Sequence, residues 1–157
     1  MKIIVVADTH SSVSYIIDAI NNTEGVSKVI HLGDCVSDAR VIQENVDIPV
    51  VMVRGNNDYF DKDVPLDKII YVEGHKILLT HGHKYNVYFG PQRLYFRAME
   101  LGCDMVLYGH THIFVDICVG DVRIINPGSV SLPRDRVASY VLMEITEKKI
   151  NIKRIKK

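Results

Sequence analysis

The sequence predicts an α/β protein built on a parallel sheet, and three observations lead there. Short apolar runs alternate with amphipathic helical stretches over the first third of the 157-residue chain, the pattern of β-α-β-α-β units with right-handed crossovers. Each of those runs ends in polar residues of the metal-ligating kind. Helical periodicity is absent after residue 102, so the second half is expected to build a mixed or antiparallel sheet against the first.

Lys2 to Ala7, nearly all apolar, reads as a strand covered on both faces, and it ends in Asp8-Thr9-His10. Ser11 or Ser12 caps a helix whose Val13, Ile16, Ile17 and Ile20 recur at helical spacing. Val29 to Leu32 is a buried strand stopped by Gly33. Asp34 follows on the loop leaving the carboxyl end of that strand, where open α/β sheets place their ligands. Its two oxygens suit it to join two cations, so it reads as the bridge of a dinuclear metal centre. A second helix runs from about Asp38 to Asn45 behind a Ser37 cap. Pro49 leads into a strand, Val50 to Val53, that ends at Arg54-Gly55-Asn56-Asn57-Asp58.

Beyond the acidic loop from Tyr59 to Asp67, Lys68 to Val72 and Lys76 to Thr80 form two strands around Glu73-Gly74-His75. The second runs into His81-Gly82-His83. After an aromatic loop, Tyr85 to Phe89, Pro91 suits the first turn of a helix with Leu94, Ala98 and Leu101 as its apolar stripe, closed by Gly102. Asp104 to Tyr108 is a buried strand ending in Gly109-His110-Thr111-His112. Phe114 to Val119 and Val122 to Asn126 make a hairpin around Gly120-Asp121, and Ala138 to Ile145 with Lys149 to Ile155 make another. No repeat, linker or low-complexity segment interrupts the chain, so residues 1–157 are expected to form one domain.

Composition narrows the function. Apolar residues at 47% and charged residues at 24% describe a globular protein. The 19 basic and 19 acidic side chains cancel, which argues against a dedicated nucleic-acid surface. The basic cluster from Lys148 to Lys157 reads as a solvated edge strand. Cys35, Cys103 and Cys118 form no C-x-x-C pair and read as small buried thiols. With no signal-peptide pattern and no membrane-spanning apolar run, a cytoplasmic location and no membrane partner are expected. His31, inside an apolar strand, reads as a buried, hydrogen-bonded histidine, and His75, in a tight turn, as solvent-exposed.

Five strand ends thus offer Asp8 and His10, Asp34, Asn56, His81, and His110 with His112. Alternate residues of an extended segment share a side, so Asp8/His10 and His110/His112 can each converge. Any one of these residues alone has an ordinary structural reading. As a set of seven nitrogen and oxygen donors they suit two divalent ions: manganese first, with nickel, iron or zinc also accommodated.

In these motifs, taken in order along nearly the whole length, the chain resembles the calcineurin-like metallophosphoesterases, and among them the small single-domain YfcE-like phosphodiesterases. The resemblance implies two facing mixed β-sheets flanked by helices, a four-layer αββα sandwich. It implies one metal held by Asp8, His10, Asp34 and His112, and another held by Asp34, Asn56, His81 and His110. It also implies hydrolysis of a small phosphodiester by a hydroxide bridging the two ions. One departure concerns the slot after the metal-binding asparagine, where many relatives carry a histidine that can protonate the leaving group. Here Asn57 stands there, and general acid catalysis is worth ~10²–10⁴-fold. His83 is the candidate substitute acid, and Arg134 a candidate contact to phosphoryl oxygens. Tyr85, Tyr88 and Phe89 read as a lid or as a hydrophobic cluster, and exposed strand edges leave room for a homodimer or higher homo-oligomer. The alternative is a non-catalytic protein-binding scaffold of the same fold, like the retromer subunit among the relatives; an intact ligand set speaks for the enzyme. A nuclease is the weaker third reading, since no basic groove is evident.

Overall fold

The computed structural model describes residues 1–157, and they form two mixed five-stranded sheets that face each other. The first sheet comprises β1 (Lys2–Val6), β2 (Val26–His31), β3 (Val50–Met52), β9 (Ser139–Thr146) and β10 (Lys149–Lys156), in the order β10-β9-β1-β2-β3. The second comprises β4 (Asp67–Val72), β5 (His75–Thr80), β6 (Met105–Leu107), β7 (Phe114–Val119) and β8 (Val122–Pro127), in the order β4-β5-β6-β8-β7. In each, the central strands run parallel (β1-β2-β3 and β5-β6-β8) while the hairpin partners run antiparallel.

Alternation along the strands divides the apolar side chains between layers. Ile3, Val5, Ile30 and Leu32 of the first sheet meet Ile77, Leu79, Met105, Leu107 and Ile125 of the second in the central core. The opposite face of the first sheet, with Ile4, Val6 and Val29, is covered by α1 (Val13–Asn21) and α2 (Val36–Asn45) through Ile16, Ile20 and Ile42. The outer face of the second, with Leu78, Val106 and Ile124, is covered by α3 (Gln92–Leu101) through Leu94 and Ala98. The result is the expected four-layer α/β sandwich.

Four local expectations are corrected. The final hairpin does not extend the second sheet: β9 returns to pair antiparallel with β1, and β10 forms the lysine-bearing edge of the first sheet. Ser37 does not cap the second helix, which starts two residues earlier than expected, at Val36, behind a left-handed Cys35 (φ 76°). Its cap comes from afar: the Asp58 carboxylate accepts the Val36 N–H at 2.7 Å and the Gly55 N–H at 2.7 Å. Of the cysteines only Cys103 is buried; Cys35 is intermediate and Cys118 points outward from edge strand β7. His75 is also less exposed than its turn suggested, because its ring is pinned between Asp104 and the Thr146 carbonyl. His31 is fully buried and bonded to Thr9, and burial pulls its pKa down to about 4.

Candidate metal centre

The carboxyl ends of β1, β2, β3, β5 and β6 open onto one rim, and their loops meet there across the two sheets. The His110 N–H donates to Asp8 Oδ2 at 3.0 Å, His81 Nδ1 donates to the Leu32 carbonyl at 2.8 Å, and Ser129 Oγ donates to the Asp8 carbonyl at 2.8 Å. Two glycines make this approach possible. A Cβ at Gly109 would sit 2.8 Å from Ala7 Cβ, and one at Gly55 would collide with the Asp34 carboxylate. The loops also take up uncommon backbone conformations. Asp8, His10, Asp34, His110 and His112 all adopt positive φ, between 38° and 70°. Such residues cost about 1–3 kcal/mol each and persist only where the surroundings over-determine them.

Two clusters result, with the donor atoms in each lying within 4.8 Å of one another: Asp8, His10 and His112, and Asp8, Asp34 and His81. Asp8 belongs to both, and Asp34, the expected bridge, belongs to the second. The Asp8 side chain is fully buried and its Oδ1 has no hydrogen-bond partner, nor has His10 Nε2. His112 Nε2 lies 3.2 Å from Asp8 Oδ1 and His81 Nε2 lies 3.5 Å from Asp34 Oδ1. His110 Nδ1 is 3.2 Å from His81 Nε2. Asn56 lines the same pocket, its amide turned toward Asn57. All seven expected ligands therefore surround one site.

The electrostatics of this site call for positive charge. Burial alone would lower the pKa of His81, but the Asp34 hydrogen bond and the Asp8 and Asp34 charges together raise it. The Asp8 carboxylate, 3.2 Å away, likewise raises that of His112. Asp34 resists the upward push of burial: bonds from His81 and the Asn57 N–H hold it down to about 2. His110, with burial and the His81 charge against protonation, is shifted downward. In His81 and His112 one ring nitrogen is tied to a backbone carbonyl (Leu32 and Leu132), which orients the other nitrogen toward the carboxylates. That is how proteins aim imidazole ligands at a cation. A buried, unpartnered carboxylate oxygen amid inward-aimed imidazoles is satisfied by a divalent ion, so the donor set fits one.

The remaining candidates divide. Asn57 grips Asp34 with its backbone N–H (3.0 Å) and its amide (2.7 Å). Arg134 lines the polar pocket, about 190 Å³ in volume, with Asn56, Asn57 and the histidines. His83 is set back from that pocket, its ring 5.5 Å from His81 and 6.1 Å from His110, with burial lowering its pKa. Tyr88, in the sequence one aromatic of a loop among several, proves central. Its ring packs on His110 at 4.9 Å, its hydroxyl donates to the His110 carbonyl at 3.0 Å and accepts from Arg134 at 2.9 Å. Only the three-dimensional fold brings these partners, 22 and 46 residues away, to it. The largest cavity, about 400 Å³, lies beside Met1, Lys2 and Glu144 at the other end of β1 and contains none of the motif residues.

Comparison with known proteins agrees with this geometry. The model of the calcineurin-like phosphoesterase superfamily domain matches residues 1–148. A probable metallophosphoesterase of Bacillus subtilis, YsnB, is 31% identical over 92% of this chain and 85% of its own length. Phosphodiesterase MJ0936 of Methanocaldococcus jannaschii is 37% identical, over 82% of this chain and 83% of its own. Among solved structures, wild-type Vps29 from Entamoeba histolytica, complexed with zinc, superposes with a TM-score of 0.81 over 99% of both chains at 22% identity, a likeness of fold.

Proposed function

This chain belongs to the calcineurin-like phosphoesterase superfamily, and from that premise we propose that it hydrolyses small phosphodiesters at a two-cation centre. The observation that carries the proposal is Asp8, fully buried, with one oxygen unpartnered at the junction of two donor clusters. We assign Asp8, His10, Asp34, Asn56, His81, His110 and His112 as the ligands. Mixed carboxylate, amide and imidazole donors favour manganese and also accommodate nickel, iron or zinc. Two divalent ions bound there supply an activated water and neutralise the phosphoryl oxygens.

The chain's own groups do the rest. Asn57 fixes both oxygens of Asp34, so that carboxylate cannot swing with substrate. The Arg134 guanidinium, steadied by the Tyr88 hydroxyl, presents planar N–H donors to phosphoryl oxygens. It is the one cationic side chain lining the polar pocket besides the histidines, a match for the single charge of a diester. Asn57 cannot hand a proton to the leaving oxygen, and His83 stands behind His81, so we assign His83 a positioning role. The scaffold alternative draws support from fold likeness to Vps29 alone, and the complete donor set opposes it.

The test is release of nitrophenol from bis(4-nitrophenyl) phosphate with added manganese. Hydrolysis that Asp34→Asn abolishes supports the assignment. Activity unchanged in Asp34→Asn overturns it, and no hydrolysis of any ester at full metal occupancy favours the scaffold.

A further inference from the structure

We propose that an apolar trench beside the metal centre receives one ester arm of the substrate, so that the preferred diesters carry an aryl or other planar apolar arm. The proposal rests on the phosphodiesterase reading above. Its origin lies in edge strand β7. Alternation sends Phe114 inward to the central core, and it turns Val115 and Ile117, in line with Ile113 just before the strand, onto the outer face. Helix α3 covers the neighbouring strands through Leu78, Val106, Val122 and Ile124 but does not reach these three, and Ile113 and Ile117 each stay 40% exposed. Val87, Tyr88 and Pro91 close the opposite side. The trench holds about 250 Å³, and no charged side chain lines it.

Two independent observations give it an occupant. The first is continuity. Tyr88 lines both the trench and the polar pocket. The His110-Thr111-His112 segment is shared in the same way, its histidines facing the polar pocket and Thr111 the trench. A diester whose phosphoryl group sits by Arg134 therefore has an apolar slot one side chain away. A cavity of about 150 Å³ accepts benzene, so one aromatic ring with a substituent fits here.

The second observation is the supply of protons. Asn57 has no acidic proton to give, and the Tyr88 hydroxyl already donates its own to the His110 carbonyl. A leaving oxygen must then depart as a stable anion, as an aryl oxide does and an alkoxide does not. In the balanced step the water oxygen bonds to phosphorus and the bond from phosphorus to the aryl oxygen breaks. The electron pair of that bond leaves on the aryl oxide, one proton of the water passes to solvent, and the aryl oxide takes up a proton from solvent after it departs, so that a phosphomonoester and a phenol result.

The experiment uses the full chain loaded with manganese. Inhibition constants are measured for 1-naphthyl phosphate and methyl phosphate, and kcat/KM for a 4-nitrophenyl and a trifluoroethyl diester. Wild type should bind the naphthyl compound at least tenfold more tightly; equal binding overturns the trench whatever the variants do. Ile117→Asp, or the milder Ile117→Asn should the carboxylate unfold the edge strand, should reduce both preferences at least tenfold, through KM. Equal changes for both arms, or a change in oligomeric state alone, refute the proposal. Should wild type hydrolyse neither diester at full metal occupancy, the phosphodiesterase reading fails; hydrolysis without arm preference sinks the trench only.

Discussion

The two ends of this sandwich use histidine in the same way and to different ends. At the amino end of β5, His75 lies between the Asp104 carboxylate (2.6 Å) and the Thr146 carbonyl (3.1 Å), tying the second sheet to the β9–β10 turn of the first. At the opposite rim, His112 lies between the Leu132 carbonyl (2.7 Å) and Asp8 (3.2 Å), and His81 between the Leu32 carbonyl and Asp34. The difference is in the carboxylates. Asp104 is 45% exposed and its other oxygen accepts the Lys76 N–H, so its needs are met by water and backbone. Asp8 and Asp34 are 0% and 4% exposed, and Asp8 keeps an oxygen with no partner. One motif is a structural tie where solvent can share the charge; it becomes a demand for cations where solvent is shut out.

Backbone strain follows the same division. Seven of the ten non-glycine residues with positive φ (Asp8, His10, Ser11, Asp34, Cys35, His110 and His112) lie at the rim. The far end has one, Glu73, in the tight β4–β5 turn.

Substitutions at the two ends should separate these roles. The largest effect is expected for Asp8→Asn, which should lower kcat/KM by at least about 10²–10³-fold, the scale set by losing one fixed electrostatic group from an active site. Manganese at 100 times its Kd should stabilise wild type by about 2.7 kcal/mol for each ion bound, a rise in Tm of roughly 5–10 °C per ion. That rise should vanish in Asp8→Asn, and calorimetry with and without metal reads it. Arg134→Ala should raise KM about tenfold with little change in metal stabilisation. Tyr88→Phe, which frees Arg134 and the His110 carbonyl, should do the same to a lesser degree in steady-state kinetics.

Away from the rim, His75→Phe should cost about 1 kcal/mol in denaturant unfolding and leave hydrolysis intact. Loss of activity there would break the contrast between the two ends. Asp67, beside Thr80 at the rim end of the second sheet but with its oxygens satisfied, sharpens it in pH. Burial works to raise its pKa, but hydrogen bonds from Tyr85, Thr80 and Lys84 hold it below the ordinary carboxylate value. A depressed folded-state pKa stabilises above the unfolded value and loses that stabilisation as pH falls through the folded one. Wild type should therefore lose more stability than Asp67→Asn on acidification below about pH 4, as acid titration of urea midpoints would report.

Much of this was legible in the sequence because local rules govern it. Apolar runs marked the strands, Leu94 and Ala98 marked the buried face of α3, and Gly102 its left-handed end. The seven proposed ligands stand out in the sequence because each lies where an apolar run stops. What escaped depends on residues far apart in the chain. Asp58 caps α2 from 22 residues away, displacing the nearby Ser37, and β9 joins β1 across the whole chain. Tyr88 looked like one aromatic among several until the fold set it against His110 and Arg134. Cys118 sits in an apolar run like a core thiol, but an edge strand has an outward face, and which strand becomes an edge is a property of the whole sheet.

The central claim is that the rim seats paired cations around Asp8. Anomalous diffraction from crystals of the manganese-soaked protein tests it most directly. Two peaks, about 3.5–4 Å apart and flanking the Asp8 carboxylate, are the result this account predicts. No peak there, or a single one away from Asp8, Asp34 and the four histidines, would contradict it.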